Sequence, residues 1–136
     1  MSLVVDASIW VSAFIPADVH HQTTRAWLVA ASPTETFVTP ALGLVETAGA
    51  VARRTGSELL ARRACRAIER LPNVLVVIPD GALWDAALSA AAQRSLRGAD
   101  AVYVAVADVL GLPLVTWDRE QRDRAGRRVK VTSPTR

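Results

Sequence analysis

The sequence is poor in the side chains that most often bind transition metals or form disulfides. Its 136 residues include one cysteine, Cys65, and two histidines, His20 and His21. A lone cysteine excludes an internal disulfide, and so few Cys and His side chains exclude a structural zinc site. Any metal ion that the protein binds must therefore be held by oxygen ligands.

Long apolar runs are also missing. The longest stretch without a charged residue covers residues 7–17, which is shorter than the roughly 20 residues of a membrane-spanning helix. No basic segment precedes this stretch, as it does in a signal peptide. With 51% hydrophobic and 5% aromatic residues, the composition is that of a globular protein. We therefore expect a cytoplasmic protein without membrane contact, in which residues 1–136 form one domain.

Lysine is nearly absent, because 15 of the 16 basic residues are arginine. Charge is segregated along the chain, with a net formal charge of −3 in residues 1–50, +4 in 51–70, −3 in 71–118 and +5 in 119–136. Arginine is suited to bidentate contacts with phosphate groups. The basic blocks predict either solvated helix faces or a surface that binds a polyanion.

Short apolar segments alternate with segments of helical spacing along the whole chain. Strands are predicted at residues 3–5, 36–39, 73–78, 114–116 and 129–131. Helices are predicted at residues 10–14, 21–31, 41–55, 59–71, 80–96, 99–110 and 118–124. In the third of these helices, Leu42, Val45, Gly49 and Ala52 are expected to face the same way. The alternation indicates an α/β fold with a parallel sheet.

Four acidic residues occupy positions that are typical of a ligand-binding site. Asp6 and Asp118 follow predicted strands, whose carboxyl ends bind ligands in parallel sheets. Glu46 lies among apolar residues of a helix, and Asp100 begins a helix whose next seven residues carry no charge. Structural roles are also open: Asp118 as a helix cap with Gln121, Asp100 at a helix dipole, Asp6 in a turn, and Glu46 at a solvent edge.

Carboxylates that lie close together need a compensating positive charge. Two of them about 4 Å apart repel by roughly 4 kcal/mol at an effective dielectric constant near 20. Few basic residues surround the four acids in the sequence, so a divalent cation held by oxygen, Mg²⁺ or Mn²⁺, is the expected partner. Ser8 and Thr116 are each two residues from a key aspartate, and are expected to orient a carboxylate or a bound water, or to act only as turn hydroxyls.

These residues resemble the PIN domain, and within it the VapC-type toxins of bacterial toxin–antitoxin systems. The resemblance covers essentially the whole chain. It rests on VVDAS at residues 4–8, LVE at 44–46, DAVYVA at 100–105 and LPLVTWD at 112–118. A single aspartate at the end of a strand is weak evidence for this family, whereas four acids in this order and spacing are a specific signal for it.

The resemblance implies a five-stranded twisted parallel sheet flanked by helices, and metal-dependent endonucleolytic cleavage of RNA. It implies that Asp6, Glu46, Asp100 and Asp118 are both the catalytic and the metal-binding residues, with Ser8 and Thr116 as accessory hydroxyls. Some family members carry a further acid, for which Glu120 and Asp123 are candidates, although their polar helix argues against both. The resemblance also implies a homodimer, a small antitoxin partner, and products with a 5′-phosphate and a 3′-hydroxyl.

RNA binding is expected to depend on arginine, because the carboxylates repel the RNA backbone. The candidates are Arg53, Arg54, Arg62, Arg66, Arg119 and Arg122. His20 and His21 precede a helix, far in sequence from the acids, and are predicted to be surface residues. Trp117 is predicted to pack in the core, as are Trp10, Trp27 and Trp84, with stacking on an extruded base as the alternative for Trp117.

Other classes with acidic pockets fit less well. A response-regulator receiver needs paired acids after the first strand and a lysine after the last, but the only lysine is Lys130. A haloacid-dehalogenase-type phosphatase needs Asp-x-Asp, and Ser8 takes the second position. The serious alternative is a catalytically silent PIN-like module that binds RNA or an antitoxin.

Overall fold

The protein folds as five parallel strands flanked by seven helices. The computed structural model describes residues 1–135. The strands are β1 (Ser2–Val5), β2 (Thr36–Pro40), β3 (Val74–Val77), β4 (Leu114–Val115) and β5 (Val131–Thr132). The helices are α1 (Ala7–Phe14), α2 (His21–Ala31), α3 (Ala41–Thr55), α4 (Glu58–Arg70), α5 (Gly81–Arg94), α6 (Gly98–Leu110) and α7 (Arg119–Arg124). The predicted α/β class with a five-stranded parallel sheet is confirmed.

The order of the strands in the sheet is β3-β2-β1-β4-β5. The chain moves outward from β1 to β3 and then returns to place β4 on the other side of β1. Such a reversal opens a crevice at the carboxyl ends of the two central strands, where ligands bind in open α/β sheets. Asp6 follows β1 and Thr116 follows β4, so the topology brings these two segments together.

Both faces of the sheet are covered, because successive residues of a strand point to opposite sides. On one face, Val4 belongs to a buried cluster that includes residues of α5 and α6. On the other face, Val5 and Phe37 pack with Trp10 of α1 and Ile68 of α4. The two clusters fix the positions from which β1 and β4 present their carboxyl ends.

The buried face of α3 differs from the predicted one. Gly43, Thr47 and Val51 are buried, whereas the side chain of Val45 is 68% exposed. Hydrophobicity does not reveal this face, because the Thr47 hydroxyl donates to the Gly43 carbonyl oxygen at 2.7 Å and so needs no water. The prediction based on Leu42, Val45, Gly49 and Ala52 was therefore wrong about Val45.

Two further predictions were also wrong in detail. Strand β5 lies later than residues 129–131, because its two residues Val131 and Thr132 pair with the two-residue β4, while Val129 fills the core from a loop. Trp84 on α5 is 51% exposed and does not pack in the core.

None of the helices within residues 1–135 combines the length and the apolar composition needed to cross a bilayer.

Candidate active site

Asp6 lies at the point where β1 ends and α1 begins. It is the N-cap of α1, and its Oδ1 accepts a hydrogen bond from the Ser8 backbone N–H at 3.0 Å. The side chain is only 4% exposed. Burial raises the pKa of Asp6 from 3.8 to about 7, against the opposing effect of hydrogen bonds from Ser8 and Thr116. A cap does not need such burial, so the position favours a second role for this carboxylate.

The two predicted accessory hydroxyls both orient Asp6. Ser8 Oγ donates to Asp6 Oδ1 at 2.5 Å, and Thr116 Oγ1 donates to Asp6 Oδ2. Each hydroxyl also accepts a backbone N–H from the segment after β4: Trp117 N–H to Ser8 Oγ at 3.0 Å, and Asp118 N–H to Thr116 Oγ1 at 2.9 Å. The hydroxyls therefore tie the ends of β1 and β4 to one carboxylate.

Glu46 is held by a tyrosine that the sequence did not single out. Tyr103 Oη donates to Glu46 Oε1 at 2.5 Å and accepts the Ala7 N–H at 3.2 Å. Burial is the main cause that raises the pKa of Tyr103 above its usual range, and the hydrogen bond to Glu46 is the second. The hydroxyl therefore stays protonated and remains a donor. Tyr103 approaches α3 at Gly43, where an added Cβ would lie 3.0 Å from Tyr103 Oη and 2.8 Å from Thr39 Oγ1.

Gln121 links the segments that carry Asp100 and Asp118, through its side chain to the first and its backbone to the second. Asp118 is the N-cap of α7, and its Oδ1 accepts the Gln121 backbone N–H at 3.1 Å. The Gln121 side chain does not complete a capping box, because its Nε2 donates instead to the Asp100 carbonyl oxygen at 3.3 Å. Gln121 is fully buried, and its Oε1 has no hydrogen-bond partner within residues 1–135. The start of α6 is thus fixed relative to the start of α7.

Three of the four predicted acids, Asp100, Asp118 and Glu46, interact electrostatically. Burial raises the pKa of Asp100 from 3.8 to about 6, and the charges of Asp118 and Glu46 raise it further, against the opposing charge of Arg97. Among residues 1–135, none of the four predicted acids forms an ion pair. Glu120, by contrast, pairs with Arg124 at 2.7 Å and with Arg97 at 3.7 Å. The negative charge of the site is therefore only weakly compensated by the protein.

The donor set suits a hard divalent cation. It consists of four carboxylates and two hydroxyls, and oxygen donors of this kind are preferred by Mg²⁺ and Mn²⁺. Within residues 1–135, no three His, Cys, Asp or Glu side chains are grouped closely enough to hold one ion between them. The residues therefore match such an ion by their chemistry and charge but not by their spacing, and Asp6, Glu46, Asp100 and Asp118 are its candidate ligands.

A cavity of about 660 Å³ adjoins the acids and is called the α3 cavity below. Ser8, Glu46, Arg53, Arg54, Asp18, His20 and Trp117 contribute to its lining. The imidazole of His20 stacks on the indole of Trp117, with ring centroids 3.8 Å apart and an angle of 5° between the planes. His20 lies far from the acids in sequence, but the loop before α2 folds back over Trp117 and places His20 in the same cavity as Glu46. His21 points elsewhere, with Nδ1 2.8 Å from the Ser12 carbonyl oxygen.

The candidate RNA-binding arginines fall into three places. Arg53 and Arg54 end α3 and line the α3 cavity, and Arg54 pairs with Asp18 at 2.6 Å. Arg62 and Arg66 are exposed on α4, and Arg62 pairs with Glu58 at 2.9 Å. Arg119 and Arg122 are exposed on α7, the helix that Asp118 caps. Of these six arginines, Arg53 and Arg54 line the α3 cavity together with one of the acids, Glu46.

Comparison with known proteins identifies a family and several structural neighbours. The family model of the PIN domain matches residues 3–127. The VapC20 structure from Mycobacterium tuberculosis, a sarcin-ricin loop cleaving toxin, is 26% identical, with a TM-score of 0.77 over 94% of this chain and 98% of that one. VapBC2 from Rickettsia felis, bound to a promoter DNA fragment, is 13% identical, with a TM-score of 0.73 over 98% of both chains. A toxin–antitoxin complex from Klebsiella pneumoniae is 16% identical, with a TM-score of 0.69 over 98% of both chains. No curated protein matches the chain.

Proposed function

The chain belongs to the PIN-domain family, and from this premise we propose that it is a metal-dependent endoribonuclease that acts as the toxin of a toxin–antitoxin module. The observation that carries the proposal is the weakly compensated negative charge around Asp100, to which Glu46 and Asp118 contribute, beside the point where the strand order reverses. The 26% identical neighbour is a toxin that cleaves the sarcin-ricin loop, which supports RNA as the substrate class.

The chain's own residues supply the negative charge that would hold a cation and the hydroxyls that orient the carboxylates. Asp6, Glu46, Asp100 and Asp118 would hold Mg²⁺ or Mn²⁺. When bound, the ion would activate water, polarise the phosphate and stabilise the leaving oxygen. Ser8 and Thr116 fix both oxygens of Asp6, and Tyr103 fixes one oxygen of Glu46. No histidine base is needed for water to attack in line and leave a 5′-phosphate and a 3′-hydroxyl.

The proposal is tested with the purified chain and a mixture of cellular RNAs in Mg²⁺, Mn²⁺ or excess EDTA. We expect cleavage in at least one of the two metals, none in EDTA, and fragments that carry 5′-phosphates. The catalytically silent alternative is favoured by the absence, within residues 1–135, of three acids grouped around one position. RNA binding without cleavage in either metal would establish that alternative.

Tyr103→Phe is expected to weaken both the fold and the reaction. It leaves the Ala7 N–H without its partner and removes the hydrogen bond that holds Glu46. Losing a buried hydrogen bond costs about 1–2 kcal/mol of unfolding free energy, and losing a group that orients a metal ligand lowers activity about tenfold. Urea unfolding and single-turnover cleavage measure the two effects. Unchanged cleavage with reduced stability would make Tyr103 purely structural.

RNA binding is expected to weaken steeply as salt concentration rises, because phosphate contacts release counterions. Arg53 forms no ion pair among residues 1–135, so Arg53→Gln should reduce the slope of log K against log salt by about 0.7 for single-stranded RNA. Arg62→Gln is the matched control, because Arg62 already pairs with Glu58 and should change the slope less. A flat salt dependence of the unsubstituted protein would show that the arginines serve only to solvate helices.

We also propose a small antitoxin as protein partner and a homodimer as the assembly. The Klebsiella pneumoniae neighbour is a toxin–antitoxin complex, which supports the first of these. Co-expression with proteins encoded beside the gene, followed by size-exclusion chromatography with light scattering, tests both. A bound partner protein that leaves RNA cleavage unaffected would contradict the antitoxin assignment.

A further inference from the structure

The α3 cavity extends away from the acids along α3 and under the loop that precedes α2. Its volume of about 660 Å³ lies in the range of pockets that take a small ligand. Ser8 and Glu46 line it on the side of the acids, and His20, Trp117 and Arg53 line it elsewhere. It therefore combines planar rings and a cation in one space next to the reacting centre.

Trp117 provides a rigid support within this cavity. Its indole Nε1 donates to Thr24 Oγ1 at 2.9 Å, its backbone N–H donates to Ser8 Oγ at 3.0 Å, and its ring packs against the cluster around Val115. One indole face is covered by the imidazole of His20. The outer ring of the stack, and the one available to a further planar group, is therefore His20.

The loop holds His20 in place by its backbone. The His20 N–H donates to Asp18 Oδ1 at 2.8 Å, and its carbonyl oxygen accepts the Thr24 N–H at 2.8 Å. Asp18 is itself anchored to Arg54 on α3. The imidazole, in contrast, makes no hydrogen bond to any of residues 1–135 and is only partly buried. The backbone of His20 is thus fixed, while its imidazole lines the α3 cavity without a hydrogen bond to the described residues.

Arg53 brings a positive charge to the same cavity. A Cβ added at Gly49 would lie 3.1 Å from Arg53 Nη1, so the missing side chain at Gly49 lets the guanidinium lie back along α3 in the direction of Glu46. Arg54 is neutralised by Asp18, but Arg53 has no ion-pair partner within the described residues. A free guanidinium repels a cationic group and attracts a phosphate.

We propose that the α3 cavity binds one unpaired nucleotide of the substrate, next to the phosphate that is cut, with its base stacked on His20 and its phosphate bound by Arg53. This inference rests on the proposed function and narrows its substrate to RNA that is single-stranded or has an extruded base at the cleavage site. A base inside a duplex is already stacked between its neighbours and cannot reach His20.

The test measures RNA binding without cleavage, in the Asp6→Asn background, by fluorescence anisotropy. The probes are a labelled single-stranded RNA octamer, the same octamer in a blunt duplex, and a set of octamers with one abasic position each. His20→Ala should weaken single-strand binding about tenfold, as expected for the loss of a base–aromatic stack, and change duplex binding less than twofold. His20→Phe, which keeps a planar ring, should restore binding to within about threefold.

The abasic series separates stacking from a structural role of His20. One abasic position should cost about tenfold with His20 present and less than twofold in His20→Ala. Arg53→Gln should weaken all octamers alike. Equal weakening of all octamers by His20→Ala, or none, overturns the proposal even where the unsubstituted chain cuts RNA. Because binding alone is read, an abasic effect that depends on His20 supports the subsite even if no metal-dependent cleavage occurs and the proposed function fails.

Discussion

Asp6→Asn is expected to lower the rate of metal-dependent RNA cleavage by roughly a thousandfold, which is the size of effect seen when one preorganised electrostatic group is removed from an active site. Asn keeps one oxygen that can accept the Ser8 hydrogen bond but loses the charge that would bind a cation. Because Asn and Asp have nearly the same shape, the substitution is expected to leave β1 and α1 unchanged. Initial rates of cleavage in Mn²⁺ and Mg²⁺ measure the effect.

The matched control is Asp85→Asn, which removes the same charge from an exposed position on α5. It should change the rate of cleavage by less than about twofold relative to the unsubstituted protein, as expected for a surface substitution remote from the site. Circular dichroism and thermal unfolding check that Asp6→Asn is folded. Full residual cleavage in a folded Asp6→Asn protein would remove Asp6 from the catalytic group.

The second large effect concerns stability in the absence of metal. The pKa of Asp6 is raised to about 7 in the folded protein, whereas the unfolded chain has the ordinary value of 3.8. Between these values the folded state binds a proton that the unfolded state has released, so the free energy of unfolding falls as pH rises. The loss is complete above pH 7 and amounts to about 4 kcal/mol at most. Asp100, with a pKa of about 6, changes stability in the same direction.

Urea unfolding in EDTA at pH 5 and pH 8 tests this expectation. Asn does not titrate, so Asp6→Asn should be more stable than the unsubstituted protein at pH 8, and this advantage should shrink towards pH 5. Saturating Mn²⁺ should raise the stability of the unsubstituted protein at pH 8, by about 2.7 kcal/mol at one hundred times the dissociation constant. Parallel pH profiles for the two proteins would show that Asp6 is not destabilising when charged.

These two results are opposite in sign for the same residue. A charge that the reaction needs is expected to weaken the fold until a cation binds, as is common at sites built for function rather than stability. A variant with lower activity and higher stability therefore argues for a functional Asp6. A variant with lower activity and lower stability argues for a structural one.

Much of the fold was predictable because the sheet is buried on both faces. Strands β1, β3 and β4 each contain a run of apolar residues, and the helices between the strands are marked by Gly56 and Gly111, which adopt left-handed backbone conformations at the ends of α3 and α6. The face of α3 was not predictable in full. Gly43 and Thr47 are buried for reasons of close approach and internal hydrogen bonding, and neither reason appears in a hydrophobic pattern.

The acids could be selected from the sequence because each occupies a position where a charge is unusual. Ser8 and Thr116 could also be selected, because each lies two residues from an aspartate, whereas the other residues that support the acids could not. Tyr103 and Gln121 read as an ordinary core aromatic and an ordinary helix residue, and their roles depend on contacts between distant segments. The only signal for Tyr103 was its spacing of three residues after Asp100, which places both on one side of a helix. His20 depends on how a loop folds over Trp117, which spacing does not determine.

The pairing of β1 with β4 also determines when the site can exist during protein synthesis. Thr116, whose hydroxyl orients Asp6, is separated from it by 110 positions along the chain. Contacts between such distant segments form late, because both must be present before the loop between them can close. A nascent chain that has not reached Thr116 therefore leaves Asp6 without this partner, and the site without Asp118. The site therefore cannot assemble near the ribosome that makes this protein until translation has passed Asp118.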